Sequence, residues 1–144
     1  MVTEQSSNLG GGAVWPLDQI QAVSRTAANL GLSVHMDGAR VLNASVATGI
    51  SVSDYASMHD SAWLAFTKGL GCPVGAVLAG SRDFIREAWQ FKRMFGGAMR
   101  QTGVLTGMCL YALDHHVERL SEDHARAKRI ERFLSGCKLF SRVL

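Results

Sequence analysis

Two residues with reactive side chains, Asp37 and Lys68, each follow a short apolar run. Asp37 follows the run that ends at Met36, and Lys68 follows the run SAWLAF and Thr67. Both runs are predicted strands separated by one helix, and open α/β sheets bind ligands beyond the carboxyl ends of their strands. The spacing therefore predicts that the carboxylate and the amine face one crevice. Spacing alone leaves open the alternative that the two side chains form a structural ion pair.

The chemistry open to such a pair follows from its functional groups. A lysine amine can bond covalently to a carbonyl carbon once its pKa falls from the ordinary value of about 10.4. The glycines in TKGLG would let a ligand approach the backbone closely beside Lys68. An aspartate can keep the ring nitrogen of a pyridine cofactor protonated, so that the ring accepts electrons from a carbanion. The pair Asp37 and Lys68 therefore favours a pyridine-ring cofactor.

Helical and extended patterns alternate along the chain around these two residues. We expect about three strands, at 32–36, 61–66 and 74–80. Helices are expected from Pro16 to Leu30, after Gly38, from Ser81 to Phe95, from Arg100 to His116 and from Glu118 to Leu134, with residues 50–60 irregular. The alternation predicts an α/β fold with a mainly parallel sheet under helical cover. Three strands would make a thin sheet, since about five or six are usual.

Composition excludes several classes of protein. The 144 residues suffice for one domain with a real core, and 47 % of them are hydrophobic. A net charge of +3 is too small and too dispersed to predict nucleic-acid binding. The longest apolar runs are too short and too rich in glycine to span a membrane. Three cysteines without paired spacing favour a reducing compartment, so we expect a cytoplasmic protein.

A metal site is not expected from the histidines. His115, His116 and His124 lie near Asp114 and Asp123 on predicted helices, without the i, i+4 histidine spacing of a helical metal site. A solvated helix face is the interpretation that we favour. His35 lies on an apolar strand, where a histidine is expected to support the structure.

Four segments carry a specific resemblance to a known family. They are GGGAVWPLDQIQAV, VHMDGARVLNASVATGI, DSAWLAFTKGLGCPVGAVLAGSRDFI and KRMFGGAMRQTGVLTGMCLYAL. Together, and over almost the whole chain, they resemble the L-threonine aldolases of the aromatic amino acid β-eliminating lyase/threonine aldolase family. The resemblance implies an aspartate aminotransferase-like fold (fold type I), pyridoxal 5'-phosphate as cofactor and a small amino-acid substrate. It also implies a homodimer or homotetramer.

The resemblance implies a role for four residues. Lys68 matches the lysine that binds pyridoxal phosphate covalently, and Asp37 matches the acid on the pyridine nitrogen. Arg40 matches an arginine that helps to hold the substrate carboxylate, a task that suits a forked guanidinium. Arg100 matches an arginine whose implied contact is the cofactor phosphate or a neighbouring subunit.

Three departures from the family pattern accompany these matches. Arg93 stands where the family usually has lysine, and Ala98 replaces the third glycine of the glycine-rich motif. Gln5 and Ser6 stand where the family usually has asparagine and threonine. These substitutions leave the roles of their positions undetermined.

Family members extend beyond both ends of the matched region. The resemblance implies that residues 1–144 are the central and C-terminal part of a cofactor-binding large domain, with the phosphate loop and the small domain outside it. The implied reaction cleaves β-hydroxy-α-amino acids such as L-threonine or L-allo-threonine into glycine and an aldehyde. Two alternatives remain: another β-eliminating amino acid lyase, and a catalytically incompetent fragment that acts only with a partner chain.

Overall fold

A computed structural model describes residues 1–137 as an alternation of strands and helices. The strands are β1 (Val2–Glu4), β2 (His35–Gly38), β3 (Ser61–Ala65) and β4 (Ala76–Gly80). The helices are α1 (Leu17–Asn29), α2 (Val41–Thr48), α3 (Val52–Ala56), α4 (Arg82–Met94), α5 (Gly103–His115) and α6 (Leu120–Ser135). The apolar tail after Cys137 lies outside the described residues.

The four strands form one sheet in the order β1-β2-β3-β4. β1 pairs with β2 and β2 with β3 in parallel, whereas β4 runs antiparallel to β3. The predicted α/β fold with a mainly parallel sheet is therefore confirmed. The turn between β3 and β4 spans only residues 66–75, which is too short for the helical crossover that a parallel pair requires.

The prediction of about three strands is wrong, because β1 was missed. β1 has three residues, too few for alternation of apolar and polar side chains to be visible in the sequence. β2 also lies later than predicted: it runs from His35 to Gly38, so Asp37 belongs to the strand. The reason is that the hydrogen-bonded ladders to β1 and β3 begin at His35, whereas Leu32 is 51 % exposed.

The prediction of an irregular segment at 50–60 is also wrong, because this segment contains α3. The Ser51 hydroxyl accepts a hydrogen bond from the Asp54 amide at 3.0 Å, and the Asp54 carboxylate accepts one from the Ser51 amide at 3.3 Å. This capping box satisfies two amides at the start of a helix that has only five residues. The sequence signal was present as Ser51-Val52-Ser53-Asp54.

Two buried clusters hold the helices to the sheet. The first packs Met36 of β2 against α1, α2 and α3, and its buried members are Ile20, Met36, Val41, Ala44 and Tyr55. The second lies beneath the turn after β3 and joins it to α5, with buried members Phe66, Leu70, Cys72 and Ala112. Together the clusters fix the segments on either side of Asp37 and Lys68.

Helices α4 and α5 present apolar side chains on their surfaces. α4 buries none of its residues, and α5 buries only Ala112. Phe91 and Met94 of α4 are 55 % and 75 % exposed, and Val104 of α5 is 75 % exposed. Among residues 1–137, no helix is both long and apolar enough to cross a membrane.

Candidate functional site

Asp37 lies in a row of side chains that crosses one face of the sheet. The register pairs Glu4 with Asp37, Asp37 with Trp63, and Trp63 with Leu78. Neighbouring side chains in register share a face, and successive side chains along a strand alternate between faces. Met36 therefore enters the core on the opposite face, where it is 1 % exposed. The Asp37 carboxylate faces away from the helical core, near the carboxyl end of β2.

The carboxylate of Asp37 is held by the backbone that follows it. Its Oδ1 accepts a hydrogen bond from the Ala39 amide at 3.0 Å, and its main-chain carbonyl accepts one from the Gln5 amide at 2.8 Å. Within residues 1–137, the Ala39 amide is the only hydrogen-bond donor to this carboxylate. The half-buried side chain is thus oriented while its second oxygen stays available to a further N–H donor.

Glycine is required after Asp37 because β3 passes very close. A Cβ built on Gly38 would collide with the main-chain carbonyl oxygen of Trp63 and would lie 3.3 Å from Cγ1 of Val41. A backbone atom cannot move aside as the end of a flexible side chain can. Gly38 therefore keeps β2 and β3 together at the level of the carboxylate.

Lys68 projects from a compact turn after β3. The Gly71 amide donates to the Lys68 carbonyl at 2.9 Å, and the Cys72 amide donates to the Phe66 carbonyl at 3.0 Å. Leu70, which is 1 % exposed, anchors the turn in the core. The Lys68 side chain is exposed, and its Nζ lies 5.6 Å from the centroid of the Trp63 ring.

Asp37 and Lys68 do not form the structural ion pair that spacing left open. In the described part of the chain, the ion pairs within 4.0 Å do not include Lys68 or Asp37. Asp37 nevertheless lies on β2, and Lys68 follows the adjacent parallel strand β3. Trp63 is a neighbour of both residues: it pairs with Asp37 in register, and its ring lies under the Lys68 amine. The sheet thus places an acid and an amine at the carboxyl ends of neighbouring strands and leaves both free to bind a ligand.

Arg40, at the start of α2, lies at the same carboxyl end of the sheet. Its Nη1 lies 3.8 Å from Oε1 of Glu4, the residue beside Asp37 in the row. Both side chains remain partly exposed, at 29 % and 35 %. Ala39, between Asp37 and Arg40, is 5 % exposed, so the backbone of this segment is well packed. Arg40 therefore offers a cation close to Asp37.

Arg100 is placed differently from the other three predicted site residues. It lies between α4 and α5, because α5 begins at Gly103 rather than at Arg100 as predicted. Its side chain is exposed, and no hydrogen bond or ion pair within residues 1–137 joins it to Asp37, Lys68 or Arg40. Asp37, Lys68 and Arg40 thus lie at or just after the carboxyl ends of β2 and β3, whereas Arg100 lies in the loop between α4 and α5.

Sequence reasoning missed two residues of this site, Trp63 and Glu4. The sequence identified Trp63 only as a member of an apolar strand. The register with β2 decides that its side chain lies on the same face of the sheet as Asp37. Glu4 was hidden because β1 was not predicted. Both positions follow from the register of the sheet, which the sequence does not reveal.

Two histidines near α5 and α6 form hydrogen bonds to other segments of the fold. The ring of His116 bonds through Nδ1 to the Leu70 carbonyl at 2.7 Å, and Nε2 of His124 lies 3.2 Å from the Asn43 side-chain amide. No group of three or more histidine, cysteine, aspartate or glutamate side chains that could hold a metal is found in residues 1–137.

A second histidine cluster lies at the opposite, amino edge of the strands. The His59 ring donates from Nδ1 to the Tyr55 carbonyl at 2.9 Å, so in the neutral ring Nε2 accepts from the Thr3 hydroxyl at 2.8 Å. His35 bonds through Nδ1 to the Ser61 hydroxyl at 2.8 Å. Burial, assisted by the nearby His35, lowers the pKa of His59 below its ordinary value of 6.5. This cluster ties β1 to the segment before β3.

Three comparisons with known proteins agree with this geometry. A family model described as beta-eliminating lyase matches residues 1–142. The low-specificity L-threonine aldolase of Candida albicans is 42 % identical over 134 residues, which cover 92 % of this chain and 36 % of that protein. The low specificity L-threonine aldolase of Escherichia coli strain K12 is 40 % identical over 120 residues, covering 83 % of this chain and 36 % of that protein.

Solved structures show the same fold. A Listeria monocytogenes protein assigned as an L-allo-threonine aldolase superposes with a TM-score of 0.87 and 26 % identity, over 95 % of this chain and 38 % of that one. An Exiguobacterium protein assigned as an aromatic amino acid beta-eliminating lyase/threonine aldolase superposes with a TM-score of 0.83, over 91 % and 37 % of the two chains. The chain thus spans about a third of the length of the relatives that it matches.

Proposed function

The chain belongs to the beta-eliminating lyase family, and from this membership we propose that it works in a pyridoxal-phosphate-dependent lyase. The proposed reaction cleaves β-hydroxy-α-amino acids such as L-threonine or L-allo-threonine into glycine and an aldehyde. One observation carries the proposal: Asp37 and Lys68 lie at the carboxyl ends of adjacent parallel strands, and no ion pair joins them within residues 1–137. The substrate class is supported by the names of the relatives.

The donor set at this edge fits the cofactor. Lys68 offers an exposed amine, and Asp37 offers a carboxylate whose second oxygen has no donor within residues 1–137. When bound, pyridoxal phosphate supplies a protonated ring that accepts the electron pair released at the substrate Cα.

Asp37 and Lys68 have distinct tasks in the proposed site. The free oxygen of Asp37 would accept a hydrogen bond from the N–H of the protonated ring, and the negative charge would favour that protonated form. The Ala39 amide fixes the direction of the carboxylate, so little reorganisation is needed. Lys68 would hold the cofactor covalently through Nζ.

Arg40 is proposed to orient the substrate by its carboxylate. A guanidinium can bind a carboxylate through two parallel N–H bonds, which fixes direction as well as position. The contact to Glu4 at 3.8 Å is longer than a charge-assisted hydrogen bond, so the guanidinium remains free to turn towards a better partner. Arg40 lies three residues after Asp37, so one segment would orient both cofactor and substrate.

The remaining expectations extend this proposal. Arg100 is proposed to contact the cofactor phosphate or a neighbouring subunit in a homodimer or homotetramer. The chain is proposed to be the central and C-terminal part of a larger cofactor-binding domain, in line with the third of its relatives' length that it covers. The cysteines within residues 1–137 are all free, which supports a cytoplasmic location.

A product assay tests the proposed reaction. The complete protein that contains this sequence is incubated with L-threonine or L-allo-threonine and pyridoxal phosphate, and glycine and acetaldehyde are measured. Both products should form in equal amounts. Formation of ammonia and a keto acid instead would identify the second candidate, a β-eliminating amino acid lyase, which the description of the matching family model favours.

A further inference from the structure

Cys72 and Cys109 are distant in sequence and adjacent in the fold. Cys72 ends the turn that carries Lys68, whereas Cys109 lies in the middle of α5. Cys109 packs against the buried cluster that contains Cys72. A pair of free thiols therefore joins the turn to the helix.

Each of the two thiols contacts the segment that carries the other. The Cys72 thiol donates to the carbonyl of Met108, one residue before Cys109, at 3.8 Å. The Cys109 thiol donates to the carbonyl of Val74, two residues after Cys72, at 3.7 Å. Each thiol is thus bonded to the segment that carries the other, so both side chains point across the same interface.

We propose that Cys72 and Cys109 are a thiol–disulfide site that reacts with a low-molecular-weight disulfide such as oxidised glutathione. The product is an internal disulfide that tethers the turn after Lys68 to α5. The chemistry is independent of the proposed lyase reaction. Cys137, the third free cysteine, lies after α6 and takes no part in the pair.

The two thiols react in a fixed order. Cys109 is the more exposed, so its thiolate attacks the external disulfide first and releases one glutathione thiolate. Burial raises the pKa of the Cys72 thiol, so Cys72 reacts second, when the mixed disulfide is held beside it. Attack by Cys72 on Cys109 then releases the second glutathione thiolate. Two protein thiols are oxidised and one glutathione disulfide is reduced to two thiols.

The site is tested on the complete protein by treatment with oxidised glutathione under native conditions, followed by non-reducing peptide mapping. The expected product is a cross-link between the peptides of Cys72 and Cys109. Cys72→Ser should stop the reaction at a glutathione adduct on Cys109, because the second thiol is missing. Cys137→Ser is the matched control and should leave the cross-link unchanged. In denaturant, the same oxidation should lose its preference for the Cys72–Cys109 cross-link, and disulfides that contain Cys137 should also form.

Two results would overturn the proposal. One is a native protein in which a stable glutathione adduct on Cys109 persists while Cys72 is a free thiol. The other is a native cross-link that involves Cys137 as often as Cys72. Both measurements use the unmodified sequence, so they do not depend on the folding of a variant.

Discussion

The Lys68 amine lies over the ring of Trp63, with Nζ 5.6 Å from the ring centroid, within the range of a cation–π contact. Trp63 is at the same time the cross-strand neighbour of Asp37. The Trp63 side chain is thus a neighbour of both groups, and no ion pair within 4.0 Å joins Asp37 to Lys68 in residues 1–137. Such an arrangement keeps both groups available to a ligand.

We expect borohydride reduction of the cofactor-loaded complete protein to attach pyridoxal phosphate to Lys68. The reason is that the Lys68 amine is exposed and lies near Trp63, the cross-strand neighbour of Asp37. Lys92 is a matched control on the same protein, because its Nζ also lies over an indole, that of Trp89, at 4.6 Å. Peptide mapping should locate the label on Lys68 and not on Lys92, and labelling of Lys92 instead would contradict the role proposed for Lys68.

Asp37→Asn should retain cofactor and lose turnover. The amide oxygen still accepts the Ala39 N–H, so the local structure is preserved, but a neutral side chain no longer stabilises a protonated ring nitrogen. We expect kcat to fall on the order of a hundredfold or more, comparable with the loss of a preorganised electrostatic contact. Steady-state kinetics with a cofactor absorbance spectrum measures both effects. The control Asp83→Asn alters an exposed ion pair on α4 and should leave kcat unchanged.

Arg40→Lys should raise KM for the amino-acid substrate more than it lowers kcat. Lysine keeps the charge but loses the forked geometry, and one charge-assisted hydrogen bond is worth about 1.5–3 kcal/mol. That loss corresponds to a roughly ten- to hundredfold rise in KM. Arg86→Lys on α4, where the arginine pairs with Asp83 on the surface, is the control. An unchanged KM in Arg40→Lys would rule out contact with the substrate carboxylate.

His59 should make the fold less stable in acid. Its pKa is lowered in the folded protein, chiefly by burial, so between that value and 6.5 the unfolded chain binds more protons than the folded one. The stabilisation is complete above pH 6.5 and is lost as the pH falls through 6.5 towards the folded pKa. Denaturant unfolding at about pH 7.5 and about pH 5.5 measures the change. His59→Gln should reduce this pH dependence, whereas His115→Gln, at an exposed position, should retain it.

Residues 1–144 expressed alone should not turn over L-threonine above the rate of free pyridoxal phosphate. The chain covers about a third of its relatives, and α4 buries none of its own apolar side chains. We therefore expect exposed apolar surface and self-association of the isolated chain. Light scattering and glycine release measure the two expectations, and turnover by a monodisperse sample would show that these residues form a complete catalyst.

The sequence by itself determined the fold class and the residues that could do chemistry. Alternating periodicities predicted the α/β fold, and the spacing of Asp37 and Lys68 predicted that they meet at one sheet edge. The fold class was predictable because helix periodicity and strand–helix–strand connection are local rules. The roles of the two residues stay predictions. Segment boundaries were less well predicted, and α3 was missed although Ser51 and Asp54 form a capping box.

Only the tertiary structure decided what surrounds these residues. The short strand β1 exists because β2 offers it a ladder, and it brings Glu4 to Arg40. The register of β2 and β3 placed Trp63 beside Asp37, and packing of a turn against α5 brought Cys109 to the cluster that contains Cys72. Register and long-range packing depend on the free energy of the whole assembled sheet, so no local pattern in the sequence encodes them.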